Sequence, residues 1–130
     1  MMIKTVPDKI QLTDISTTED NQFEVSEAIE YVFDYLGRTF NTTVPKGFIT
    51  DLGSVPVGVM PIISNTGRYI KSYVLHDWLY DSKCDLNITK NDADIILWLG
   101  LKEQKMDWWK MNLVYQAVRL FGGSHWRVEK

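Results

Sequence analysis

The spacing of hydrophobic residues changes along this chain of 130 residues, and that change limits the folds it can adopt. Residues 29–35 alternate between large apolar side chains and mostly charged ones, which is typical of a half-buried strand. After residue 67 the apolar positions recur at a helical spacing instead. Strands followed by helices predict an α+β fold, with a small antiparallel β-sheet in the N-terminal half followed by three helices.

Turn signals divide the first half into short pieces. Gly37 predicts the turn of a hairpin after residues 29–35, and Pro45 limits the next strand to a sheet edge or a strand start. The first 22 residues contain a strand-like piece at Lys9–Leu12 and predict an N-terminal arm or an edge strand. Because no linker or internal repeat interrupts the chain, we predict a single domain over residues 1–130.

Capping residues mark the predicted helices. Thr89 with Asp92 forms a capping pair, Asp107 suits the start of the third helix, and Gly122 indicates its end. These signals and the apolar spacing predict helices at about Arg68–Ser82, Lys90–Gln104 and Trp108–Phe121.

Composition excludes several classes of protein. Hydrophobic residues make up 45% of the chain, which argues against a mostly disordered protein. The single cysteine, Cys84, excludes an intramolecular disulfide and a multi-cysteine zinc site. No apolar run is long enough to cross a bilayer, and the N-terminus has no apolar core, so we expect neither a transmembrane segment nor a signal peptide.

The uneven distribution of charge argues against nucleic acid as a partner. Residues 1–65 hold four Lys or Arg and nine Asp or Glu, a net charge of −5. Residues 102–130 hold six and three, a net charge of +3, which is modest enough for a solvated helix face. An acidic front half repels a phosphate backbone.

Two histidines, His76 and His125, are the candidates for acid–base chemistry. His76 lies on the first predicted helix, where helical spacing places Asp77 and Tyr80 on the same side. It is either a general base or an ordinary histidine at the edge of the core. His125 follows the last predicted helix, and we interpret it as a surface or interface residue.

Asp94 supplies the partner that His76 needs. It shares an apolar stripe of the second predicted helix with Leu97, Trp98 and Leu101, where a carboxylate is costly to bury alone. Because two helices joined by a short loop pack antiparallel, Asp94 can reach His76. A carboxylate on one imidazole nitrogen leaves the other free as a general base, so we predict a hydrogen bond between these side chains.

The nucleophile and the metal are inferred by elimination and by ligand type. Neither Ser54 nor Cys84 lies in a nucleophile motif, so water is the nucleophile if His76 is a base. Asp77 can hold a calcium ion, because calcium prefers carboxylate and carbonyl oxygens. Asp51 is either a further metal ligand or the start of an Asx-turn.

An apolar loop separates the two halves. Residues 51–67 combine glycine and proline with aliphatic residues, whereas a surface loop is ordinarily polar. We therefore expect Val55, Val57, Val59 and Met60 to be partly exposed in the monomer and covered in an assembly.

In its motifs the chain resembles a family of small, uncharacterised proteins of tailed bacteriophages. The matching segments are Val44–Pro56 (VPKGFITDLGSVP), His76–Tyr80 (HDWLY), Ala93-Asp94 and Ala117–Gly122 (AVRLFG). The match covers most of residues 25–123 in order. It implies a phage origin, but it does not imply a known activity.

A second, local resemblance is to secreted-type phospholipases and to those of parvovirus capsids, which share the pattern His-Asp-x-x-Tyr followed by Ala-Asp. It implies that His76 is the general base and that Asp94 is its partner. It also implies that Tyr80 bonds to that aspartate and that Asp77 is a calcium ligand. The disulfides of the secreted enzymes are absent, and the nearest counterpart of their calcium loop begins at Asp51, further upstream.

Two classes of function follow from these observations. One is a virion- or tail-associated hydrolase with a phospholipase-like site that acts on membrane lipid of the host envelope. The other is a non-catalytic phage structural or assembly protein, in which the His–Asp network serves packing. Both predict partners among phage virion or tail proteins or further copies of the chain, and a location in the virion or the host cytoplasm.

Overall fold

The α+β prediction is confirmed by the computed structural model, which describes residues 1–18, 22–51 and 69–128. The strands within these ranges are β1 (Ile3–Val6), β2 (Leu12–Asp14), β3 (Phe23–Val25), β4 (Ile29–Tyr35), β5 (Arg38–Val44) and β6 (Ile49–Thr50). The helices that follow are α1 (Ile70–Tyr80), α2 (Lys90–Glu103), α3 (Trp108–Phe121) and a 3-10 helix, Gly123–His125.

The strands are divided between two antiparallel sheets. The first sheet has the order β1-β4-β5 and the second has the order β2-β3-β6. Strands β4 and β5 form the predicted hairpin, with Phe33 opposite Phe40. Its turn places Leu36 and Gly37 in the left-handed region, at φ 51° and 73°, which explains the glycine.

One face of the first sheet packs against the helices to form the core. Alternate residues of β4 are buried, as the sequence pattern predicts, and they face the helices. The Tyr31 hydroxyl donates to the Lys71 carbonyl at 2.9 Å, and Trp78 Nε1 donates to Thr42 Oγ1 at 2.8 Å. Both bonds join the sheet to α1 and fix the position of that helix relative to the strands.

The helix ends follow the capping signals only in part. The Thr89–Asp92 capping box is present, and α2 begins at Lys90 as predicted. Asp107 precedes α3 but makes no capping hydrogen bond, and its carboxylate lies 3.7 Å from Lys110 Nζ. Helix α1 ends at Tyr80 rather than Ser82, since the backbone turns extended at Asp81.

The predicted strand at Lys9–Leu12 is wrong. Strand β1 ends at Val6, because Pro7 lacks the N–H that would continue the ladder. The chain then turns before β2 starts at Leu12, and β1 pairs with β4 at the edge of the first sheet. The expected exposure of Val55, Val57, Val59 and Met60 lies outside the described residues.

Helices α1 and α2 approach closely at Gly100, which makes this position sensitive to substitution. A Cβ there would collide with the Ser72 hydroxyl, which Gln104 holds at 2.9 Å, and would lie 3.0 Å from Ile3 Cδ1. We expect Gly100→Ala to lower the free energy of unfolding in urea by about 1–3 kcal/mol, despite the better helix propensity of alanine.

The exposed Gly123 provides a matched control for this substitution. A Cβ on Gly123 meets nothing within 4 Å, so Gly123→Ala should leave the stability almost unchanged. Equal stabilities of the two variants would contradict the close packing at Gly100.

Candidate functional site

Helices α1 and α2 bring His76 and Asp94 together. His76 Nε2 lies 3.0 Å from Asp94 Oδ1, within hydrogen-bond distance. Both residues are buried, with 2% and 1% of their surface exposed. The contact expected from the cost of burying each polar group alone is therefore present in the core between the two helices.

Two further side chains hold the Asp94 carboxylate. The Tyr80 hydroxyl donates to Oδ1 at 2.5 Å, as the phospholipase resemblance implies. Lys90 Nζ donates to Oδ2 at 2.8 Å from the preceding turn of α2. Lys90 is not among the residues predicted for the site, although its spacing of four residues from Asp94 is the signal for such an ion pair.

The charge of Asp94 is maintained by these partners. Burial acts to raise the pKa of Asp94, but the hydrogen bonds from His76, Lys90 and Tyr80 outweigh it and hold the pKa below its ordinary value. Burial, together with the hydrogen bond to this carboxylate, raises the pKa of the Tyr80 hydroxyl, which keeps its proton and remains a donor. Asp94 is therefore an ionised acceptor inside the core.

The second nitrogen of His76 has no hydrogen-bond partner within the described residues. Since an ionised carboxylate only accepts, Nε2 must carry the proton in the bond to Asp94. In the neutral ring Nδ1 then carries the lone pair. This Nδ1 atom is buried and unpaired, and the nearest carboxylate oxygen recorded for it, Asp77 Oδ1, lies 4.0 Å away.

Tyr80 is fixed on several sides. Its ring lies 4.5 Å from that of His76 and 5.1 Å, edge to face, from that of Trp126. A Cβ on Gly122 would lie 2.7 Å from the Tyr80 hydroxyl, so only glycine lets the end of α3 come this close. The position of the hydroxyl over Asp94 therefore depends on residues that follow α3.

Arg127 secures these residues to the end of α1. Its backbone N–H donates to the Tyr80 carbonyl at 2.7 Å, and its guanidinium donates to the carbonyls of Leu79 at 3.2 Å and Leu86 at 2.8 Å. The carbonyls of Leu79 and Tyr80 belong to the last turn of α1, where carbonyls have no intrahelical partner. We call Gly122, Trp126 and Arg127 the C-terminal clasp.

A cavity of about 370 Å³ lies beside the bonded pair of His76 and Asp94. Asp51, Asp77, Tyr80 and His125 are among its lining residues, whereas His76 is not. His125 is exposed, as predicted, but it stands in the cavity wall because the 3-10 helix folds back toward α1. Its position follows from the clasp, which has no local sequence signal.

The chain matches the sequence model of a described protein family. That model, a protein of unknown function (DUF1353), matches residues 23–118. The chain belongs to the DUF1353 family. The DUF1353 match includes His76, Tyr80, Lys90 and Asp94 and stops before the C-terminal clasp. No curated protein and no solved structure matches the chain.

The cavity of this DUF1353 chain offers hard oxygen ligands for a cation. Asp51 and Asp77 both line it, and carboxylates are the ligands that calcium prefers. Asp77 also accepts a hydrogen bond from the Thr50 hydroxyl. Within residues 1–18, 22–51 and 69–128, no three His, Cys, Asp or Glu side chains are grouped to hold one metal ion, and no helix could cross a membrane.

Acid should destabilise this DUF1353 protein through Asp94. Because the pKa of Asp94 is lower in the folded chain than its ordinary value of 3.8, the unfolded chain binds more protons between the two values. The stabilisation is complete above the ordinary value and is lost as the pH falls through the folded value. We expect the free energy of unfolding in urea to fall below about pH 4.

The variant Asp94→Asn isolates this contribution, because it cannot ionise. Its stability should depend less steeply on pH than that of the wild type in the same range. The lowered pKa values of Asp14 and Asp92 leave a residual slope in both proteins. Identical slopes would show that Asp94 does not contribute.

Proposed function

We propose that this protein hydrolyses lipid esters, with His76 as the general base and water as the nucleophile. One observation carries the proposal. His76 Nε2 is bonded to Asp94, while its buried Nδ1 has no partner among the described residues. A buried polar atom left unpaired costs about 1–3 kcal/mol, and such atoms call for a functional or structural explanation. A nitrogen lone pair held ready to accept a proton from water supplies that explanation.

The reaction follows from the roles of the two ring nitrogens. His76 Nδ1 removes a proton from water as the water oxygen bonds to the ester carbonyl carbon. Asp94 keeps the ring oriented and stabilises the imidazolium that forms, as a carboxylate does in hydrolytic triads. The imidazolium then returns the proton to the departing alkoxide, which leaves an alcohol and a fatty acid. Tyr80 and Lys90 act on Asp94 and are positioning residues.

Calcium is the cation proposed for this reaction, with Asp77 and Asp51 as ligands. The carboxylates at the cavity have the hard oxygen chemistry that the ion requires. Bound calcium would supply positive charge for the oxyanion of the ester carbonyl. Asp77 Oδ1 lies 4.0 Å from His76 Nδ1, so a cation held by Asp77 would be near the base.

The context proposed is a bacteriophage virion or tail that acts on host envelope lipid. Support comes from the phage-protein motifs, including His76–Tyr80, and from the phospholipase pattern that the His76, Tyr80 and Asp94 geometry matches. Other virion or tail proteins are the partners expected, and the location is the virion or, before assembly, the host cytoplasm.

Fatty-acid release from phosphatidylglycerol vesicles tests the hydrolase. Purified protein with calcium should release fatty acid, and excess chelator should stop it. Asp77→Asn should lose the activity, because it removes the charge proposed to hold the cation. Asp81→Asn is the matched control, since Asp81 lines the same cavity and uses Oδ1 to accept from the Lys83 backbone at 2.9 Å. No release by folded wild-type protein with calcium would refute the function.

A second candidate is a non-catalytic structural or assembly protein of the phage. It is favoured by the near-complete burial of His76 and by the absence of His76 from the lining residues of the cavity. Here the network of His76, Tyr80, Lys90 and Asp94 would serve the core. This candidate would be selected if mass spectrometry detected the protein in purified virions and the hydrolysis assay showed no fatty-acid release.

A further inference from the structure

The outer face of α3 carries large apolar side chains in water. Trp108, Trp109 and Leu120 are 73%, 53% and 73% exposed, while Met111 and Val114 on the inner face are buried. Tryptophan is among the largest apolar side chains, and an exposed pair is costly unless something covers it. Because Met111 and Val114 already pack α3 against the core, the exposed residues are not needed for the packing of this domain.

Basic side chains lie over aromatic rings on α3 and on the end of α2. Lys110 Nζ lies 5.6 Å from the ring centre of Trp109, and the Arg119 guanidinium lies 5.5 Å from that of Tyr115. On the neighbouring α2, Lys102 Nζ lies 5.4 Å from the ring centre of Trp98. Three cation–aromatic pairs thus lie on α3 and the end of α2.

The charge of this region is opposite to that of the front half. Residues 102–120 contain four Lys or Arg and two acidic residues, a net charge of +2, whereas residues 1–65 have a net charge of −5. The two acidic residues are already engaged, since Glu103 accepts from the Ile3 backbone and Asp107 pairs with Lys110. An anionic partner would therefore be attracted to this face of the molecule.

We propose that the outer face of α3 docks on an anionic lipid bilayer, with Trp108 and Trp109 in the headgroup region. Tryptophan prefers this zone because its ring is apolar and its N–H finds polar partners. Lys and Arg flank such helices and contact anionic headgroups. The axis of α3 would lie along the surface, as in other interfacial helices.

The proposed docking helix is connected through the chain to the cavity. The C-terminal end of α3 leads directly into the 3-10 helix, and Ser124 and His125 of that helix line the cavity. The helix proposed to lie on the bilayer therefore continues, at its C-terminal end, into residues of the cavity wall. The docking surface is inferred from the exposed apolar residues and the charge of this region, and it does not depend on hydrolysis.

Vesicle flotation tests the surface without any catalytic step. Wild-type protein should float with vesicles that contain phosphatidylcholine and phosphatidylglycerol, and much less with phosphatidylcholine alone. Trp108→Ala/Trp109→Ala should weaken binding by about tenfold or more, given the apolar area that two tryptophans bury. Lys105→Glu/Lys110→Glu should weaken it as well, and added salt should reduce wild-type binding.

The control variant removes exposed apolar residues from the opposite half of the chain. Val6 and Leu36 are 65% and 79% exposed, so Val6→Ala/Leu36→Ala should bind vesicles as the wild type does. No flotation of the wild type, or equal flotation of the tryptophan variant, would overturn the proposal. Dimerisation in light scattering that disappears in the tryptophan variant would also overturn it, in favour of a second copy. Binding without fatty-acid release would refute only the hydrolase.

Discussion

Replacing His76 with glutamine should reduce fatty-acid release by about 10²–10⁴-fold, the usual contribution of a general base. Glutamine can keep a hydrogen bond to Asp94, but its amide cannot take a proton from water at neutral pH. Initial rates on phosphatidylglycerol vesicles with calcium measure the effect. The decrease should lie in kcat rather than in KM, because the base acts on the reacting water and not on substrate binding.

The unfolding temperature of His76→Gln provides the control. A variant that unfolds near the wild-type temperature and lacks activity has lost the base, whereas one that is unfolded says nothing of catalysis. In that case His76→Asn, assayed well below its unfolding temperature, repeats the test. Full activity in a folded variant would remove His76 from the mechanism.

Replacing Asp94 with alanine should lower the free energy of unfolding by about 3–5 kcal/mol, the range for removing one partner of a buried ion pair. The substitution leaves His76 Nε2, the Tyr80 hydroxyl and Lys90 Nζ without the acceptor they share. Lys90 is the least affected, because a quarter of its side chain is exposed and can reach water. Urea unfolding at neutral pH measures the loss.

Asp94→Asn is the matched control, because it keeps the shape of the side chain and one acceptor oxygen. It should cost less than Asp94→Ala, since an amide oxygen in the place of Oδ1 can still accept from His76 Nε2 and from the Tyr80 hydroxyl. A loss below about 1 kcal/mol for the alanine variant would mean that water replaces the carboxylate, and that the network is not sealed in the core.

Local patterns predicted the β4–β5 hairpin, the three helices and the central contact, although not the strands of the first 25 residues. The alternation in residues 29–35 predicted β4, and the Thr89–Asp92 pair predicted the start of α2, because both signals act within a few residues. The contact between His76 and Asp94 was predictable because a carboxylate on an apolar stripe needs a partner and the chain offers few.

Contacts between distant segments could not be read from the sequence. The clasp residue Arg127 bonds to carbonyls at Leu79, Tyr80 and Leu86, which are backbone groups with no residue preference. The place of His125 in the cavity wall depends on that clasp, so its sequence position after α3 indicated only exposure. The division of the strands into two sheets likewise depends on long-range pairing that short strands do not encode.

The clasp has a consequence for folding during protein synthesis. A nascent chain leaves the ribosome from its N-terminus, so α1 and α2 emerge before residues 122–127. Until those residues appear, the last carbonyls of α1 lack the donors of Arg127, and the Tyr80 ring lacks Trp126. The pair of His76 and Asp94 therefore reaches its final geometry only after residues 122–127 have emerged, whereas the sheets and helices that surround it can form earlier.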